Sequence, residues 1–259
     1  MDFLFTPEAI SSLLTLTFLE IILGIDNVVF ISIVVGKLPE EKRRYATNVG
    51  LLLALVLRVA LLFAISWIIA MESTLFEIST SWMHTAVNGQ SLILFAGGLF
   101  LLYKSTKEIH DKIDYVGEKS EKMQRNAANT MGRILLQIIL IDAVFSIDSI
   151  LTAVGMTSGI HGALWIMIIA VVISIFAMMW FAHPVTRFVH KHPSLQILAL
   201  SFLILIGFML IAEGAHLSHL EVMGTSVGAI PKGYLYFAIA FSLLVEFLNM
   251  RFRKKKSSV

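Results

Sequence analysis

Residues 19–30 read LEIILGIDNVVF and residues 140–151 read LIDAVFSIDSIL. Aligned without a gap, Glu20 meets Asp142, Gly24 meets Ser146, Asp26 meets Asp148 and Asn27 meets Ser149. Both stretches carry two acids with five residues between them, followed by a small polar residue, inside otherwise apolar sequence. The surrounding chain explains why that is unusual. Of its 259 residues 57% are hydrophobic and 15% charged, against roughly a quarter charged in soluble proteins. Residues 149–186, 78–103 and 192–212 contain no Asp, Glu, Lys or Arg. Such a chain is written for lipid, which excludes a water-soluble enzyme or a nucleic-acid module. It has no cysteine, hence no disulfide and no thiolate metal site.

Windows of about 20 apolar residues, enough to cross a ~30 Å hydrocarbon core, predict seven spans. They lie near 10–36, 46–70, 89–103, 134–156, 163–182, 195–213 and 233–249. The start Met1-Asp2 has no basic n-region and is not read as a cleaved signal. Alternate loops hold eighteen Lys and Arg against one, Lys232, on the other side, with Arg58 inside the second window. The positive-inside bias therefore predicts an outer N-terminus and a cytoplasmic C-terminus in the cell (inner) membrane.

The paired stretches lie in the first and fourth windows, and the third and sixth echo each other more weakly. The expectation is an all-α polytopic transporter domain over 1–259. It comprises a first repeat near 10–103, a cytoplasmic loop 104–133, a second repeat near 134–213, a seventh helix near 233–249 and a basic tail 250–259. A three-helix repeat reverses sides, so the two repeats are inverted, as in many secondary transporters.

Each carboxylate near a bilayer centre costs about 2.5–3.5 kcal/mol, so Glu20, Asp26, Asp142 and Asp148 must be paired, hydrated, protonated or bound to cations. Antiparallel passage puts Glu20 and Asp148 on an outer level, and Asp26 and Asp142 on an inner one. A straight helix cannot aim both its acids at one atom, and Gly24 is expected to permit a kink or unwound turn, with Ser146 a weaker counterpart. With Asn27 and Ser149 the donor set is all oxygen, which suits hard divalent ions such as Mn²⁺, Mg²⁺ or Ca²⁺. The competing reading is that the acids pair with Asn, Ser, Gln137 or Arg58 to join helices. Arg58 is read as a permanent counter-charge to the acids.

At these motifs the chain resembles the TerC family of integral membrane proteins, over essentially its whole length. The resemblance implies kinship with LysE-like exporters and manganese efflux, with Glu20, Asp26, Asp142 and Asp148 as the transport site. It also implies extracytoplasmic metal-receiving enzymes as partners beside the lipid bilayer, with a homo-oligomer a further candidate. Mn²⁺ is then cargo, and no organic cofactor or nucleic acid is expected. Two other readings stand beside it: export of a cationic or zwitterionic small molecule such as an amino acid, and an intramembrane metal-dependent enzyme. Transport is preferred to catalysis because no His lies beside the acids.

Glu213, His216 and Glu246 lie near span ends as gate or rim residues. The loop 104–133 alternates in sign, with Glu108/Lys112, Glu118/Lys122 and Glu121/Arg125 at helical spacing, and reads as a solvated helical hairpin.

Overall fold

The computed structural model describes residues 6–64, 67, 69, 71–114, 127–157 and 159–256, with the side chains of Asp26 and of positions 114, 127–130 and 253–256 outside the description. Among these residues the long elements are helices: α1 (Pro7–Val35), α2 (Glu40–Phe63), α3 (Gly89–Asp114), α4 (Ala127–Thr157), α5 (Ala163–Lys191), α6 (Pro193–Leu217) and α7 (Lys232–Lys256). Each predicted window overlaps one of them, the second, 46–70, running past the end of α2 at Phe63. Prolines mark three starts: Pro7 follows the cap Thr6, Pro39 precedes α2, and Pro193 opens α6. There the fixed φ and missing N–H of proline do no harm.

Among the described residues six helices are long and apolar enough to cross a membrane, and of the seven long helices α3 is the exception. It is long enough, at 26 residues. Gln90 and Ser91 at one end and the polar run from Lys104 at the other dilute its apolar block. Phe18, Trp180 and Phe237 are 66%, 76% and 71% exposed on their helices, as side chains facing lipid would be.

The all-α expectation lacks a small sheet. Strands β1 (Thr74–Thr80), β2 (Met83–Asn88), β3 (Glu221–Val222) and β4 (Thr225–Ser226) pair antiparallel in that order. The stretch TLFEIST is rich in β-branched and aromatic residues, which suit a pleated surface; a reading based on loop charge passes over it.

The chain divides into two compact units. In the first, α1 packs on α5 and α4, and α2 packs on α4 and α5, with lighter α1–α2 and α4–α5 contacts. Gly50 of α2 faces Ile138 of α4, where an added Cβ would lie 2.9 Å from Ile138 Cδ1. Ser32 and Thr186, both buried, share a 2.7 Å hydrogen bond between α1 and α5.

In the second unit α3 packs along α6. A Cβ on Gly98 would meet the Gly207 carbonyl at 2.6 Å, and one on Gly207 would meet the Gly98 carbonyl at 3.0 Å. The two backbones touch because neither residue has a side chain. Asn88 caps α3 by accepting from Ser91 N at 2.7 Å, and it donates to the Leu217 carbonyl at the end of α6 at 2.8 Å. Glu108, expected in a solvated hairpin, is 1% exposed and pairs with Lys104 at 2.8 Å, while Lys112 meets Gln196 of α6. The pairs Glu118/Lys122 and Glu121/Arg125 lie outside the described residues.

Candidate functional site

The polar centre of the first unit is built from three helices. Arg58 of α2, 3% exposed, reaches between α1 and α4. Its Nη1 donates to Glu20 Oε2 at 2.5 Å, its Nη2 to Asp142 Oδ1 at 2.7 Å, and its Nε to Asp142 Oδ2 at 3.2 Å. Glu20 and Asp142 were expected on different levels, yet they share one guanidinium. Arginine permits this because its planar fork presents two donor edges in different directions. One fixed positive charge thus meets two buried carboxylates, and with both ionised the cluster carries a net charge of −1.

Further donors complete Asp142. Asn27 Nδ2 donates to its Oδ1 at 3.2 Å, and Ser146 Oγ to its Oδ2 at 3.2 Å. A carboxylate only accepts, so this contact fixes which end of the Asn27 amide faces it. Asn27 Oδ1 is left pointing elsewhere: it is buried and, among the described residues, has no hydrogen-bond partner. Ser149, 5% exposed, donates to the Ser146 carbonyl at 3.2 Å. Asp148 is half-buried, and its carbonyl accepts from Thr152 Oγ1 at 3.0 Å. Asp26 lies within α1 between Gly24 and Asn27, but its side chain falls outside the description.

Gly24 does not break its helix: α1 runs unbroken from Pro7 to Val35. It serves packing instead. A Cβ at Gly24 would lie 2.1 Å from the sulfur of buried Met178 on α5. Nothing in the sequence marks Met178 as the residue that fills this notch. Gln137, read as a partner for the acids, has its Nε2 buried with no hydrogen-bond partner among the described residues.

The rim residues belong to the second unit. Glu213 is half-buried near the end of α6 and His216 is exposed one turn further on. Glu246 of α7 accepts from Ser194 Oγ of α6 at 2.6 Å, a tie between two helices. Among the described residues, no three His, Asp or Glu side chains converge on one ion position. Asp26 is outside that statement.

What the centre can do chemically follows from its charge. The acids on Arg58 are held and oriented, and Asn27 Oδ1 offers a buried oxygen to whatever lies beside it.

Comparison with known proteins is decisive about lineage. Residues 5–258 match the integral membrane protein TerC family. The chain is 44% identical over 248 residues to a UPF0053 protein of Haemophilus influenzae, covering 96% of each. It is 45% identical over 249 residues to the UPF0053 inner membrane protein YgdQ of Escherichia coli K12, covering 96% of this chain and 95% of YgdQ. It is 41% identical over 254 residues to the UPF0053 inner membrane protein YoaE of the same strain, covering 98% of this chain but 45% of YoaE. No solved structure matches.

Proposed function

Given that the chain belongs to the TerC family of integral membrane proteins, we propose that it exports a divalent cation, foremost Mn²⁺, across the inner membrane. The observation that carries this is the buried Asn27 Oδ1, without a hydrogen-bond partner among the described residues, beside a cluster whose carboxylates outnumber its cation. Arg58 compensates one of the two charges of Glu20 and Asp142 and holds both in place. Asp26 and Asp148, with Asn27 and Ser149, then provide the oxygens that a hard cation selects.

The packing also supports inverted repeats. Among α1–α6, exchanging α1 with α4, α2 with α5 and α3 with α6 leaves the set of packed helix pairs unchanged: α1–α5 becomes α4–α2, α1–α2 becomes α4–α5, and α1–α4, α2–α5 and α3–α6 return to themselves, while the α6–α7 contact lies outside the exchange. In this reading α3 also crosses the membrane, as the third of seven spans, the N-terminus is outside, and the loops rich in Lys and Arg are cytoplasmic. The name of the relative YgdQ favours the inner membrane. The amino-acid reading is disfavoured because it needs a guanidinium for the substrate carboxylate, and Arg58 already holds Glu20 and Asp142.

Titrating purified protein with Mn²⁺ and following the free-ion electron paramagnetic resonance signal tests the site. Wild-type protein should quench the signal saturably, and Asp26→Asn with Asp148→Asn should restore it. Equal quenching by both would refute a site at these acids.

A further inference from the structure

A second polar region of the first unit lies away from the acids. The first turns of α2 and the last turns of α5 enclose a cavity of about 220 Å³. Glu40, Arg43, Arg44, Thr47 and Asn48 line it from α2, at spacings that share one helix face. From α5 come His183, Thr186, Arg187, His190 and Lys191. Four permanent cations therefore surround one small space with a single acid among them. Among the described residues none of Arg43, Arg44, Arg187 and Lys191 forms an ion pair, Glu40 included.

Several of these groups are fixed. Arg43 donates through Nε to the Leu38 carbonyl at 2.9 Å and through Nη2 to the Gly36 carbonyl at 3.1 Å, closing the end of α1. The His190 ring lies on Gly36, where a Cβ would come within 2.2 Å of its Cε1. Arg187 Nη2 and His183 Nε2 are 2.7 Å apart. Guanidinium only donates, so in this contact the His183 nitrogen accepts. The positive end of the α2 dipole and the negative end of the α5 dipole meet here and offset each other, so the field comes from the side chains.

Four cations around one acid repel one another on balance, and an anion with several acceptor oxygens relieves this best. The cavity is smaller than the roughly 300–1,000 Å³ of drug-sized sites, which fits a single compact headgroup. We propose that this cavity binds a phosphate-type anion, either the headgroup of an anionic phospholipid or free phosphate. The residues lie at the end of the helices that carries the basic loops, where anionic headgroups meet a spanning protein. The site does not depend on cation transport, so failure of that reading leaves it standing.

The test uses the full chain in non-ionic detergent, titrated in separate arms with phosphatidylglycerol, phosphatidylcholine and inorganic phosphate. Binding is read by native mass spectrometry and by the shift in Tm. The cavity variant is R44Q/R187Q/K191Q, and K42Q/K107Q/R251Q is a charge-matched control on exposed cations outside the cavity. Tight phosphatidylglycerol binding that weakens roughly 100-fold in the cavity variant, at about fivefold per cation, and survives in the control supports a lipid headgroup. The same pattern with inorganic phosphate supports the free ion. No binding in either arm, or equal loss in cavity variant and control, overturns the proposal. Should the triple variant not fold, Arg44→Gln alone, at an exposed position, must weaken binding about fivefold; an unchanged affinity overturns it.

Discussion

Helices α1 and α4 meet through α2 at three charged side chains, whereas α3 and α6 meet at two glycines. The first contact is Arg58 between Glu20 and Asp142, all at most 6% exposed. The second is Gly98 against Gly207, backbone on backbone. For joining helices in lipid the glycine contact suffices, since close approach there gains dispersion and strands no polar group. The charged contact is a poor device for stability, because replacing a buried ion-pair triad by apolar residues of similar volume is often neutral or stabilising. A chain that can bring two helices backbone to backbone at Gly98 and Gly207, yet places three buried charges at the other contact, uses those charges for more than adhesion.

The comparison breaks most clearly at Arg58. Arg58→Met leaves two buried carboxylates without their cation and should cost about 3–5 kcal/mol, read as a large fall in Tm in detergent. Adding Glu20→Gln and Asp142→Asn should recover most of that loss while Mn²⁺ transport stays abolished. If the triple variant remained as unstable as Arg58→Met, the charges would be adhesive after all. At the glycine contact, Gly98→Ala forces a Cβ onto a carbonyl and should cost about 1–3 kcal/mol by overpacking. Mn²⁺ affinity per folded molecule should not change, and a changed affinity would remove the functional contrast between the regions. The smallest effect is expected at Ser194→Ala, which deletes the donor to Glu246 between α6 and α7. A loss of roughly 1 kcal/mol with normal flux would mark Glu246 as a tie, and lost flux would make it part of the pathway.

Rare acids in apolar sequence made Glu20, Asp26, Asp142 and Asp148 legible, and Arg58 stood out for the same reason. Their partners did not. Helical spacing gives a face, but which face of α2 meets which of α1 and α4 is decided by packing, so Glu20 and Asp142 were separated by level when one guanidinium joins them. Gly24 looked like a place to unwind, and the reason it is glycine, the sulfur of Met178, lies 154 positions away on another helix. Hydropathy marked the seven windows, but it reports where apolar residues run and not where a helix ends. Thus α3 continues from its predicted limit at 103 to Asp114 and α5 from 182 to Lys191. Glu108 showed the same limit on the polar side. A glutamate with lysines four residues before and after it reads as solvated, yet it is buried against Lys104.

Mn²⁺ flux in proteoliposomes tests the central claim most directly. Purified wild type and Asp148→Asn are reconstituted at equal protein content, with Mn²⁺, Mg²⁺, Ca²⁺ and Zn²⁺ offered in turn and orientation scored by accessibility of the C-terminal tail. Wild type should carry Mn²⁺ well above protein-free liposomes, and Asp148→Asn should fall to that background while inserting normally. Equal Mn²⁺ flux in the two proteins, or none in wild type for any divalent ion, would contradict a cation pathway through the paired acids.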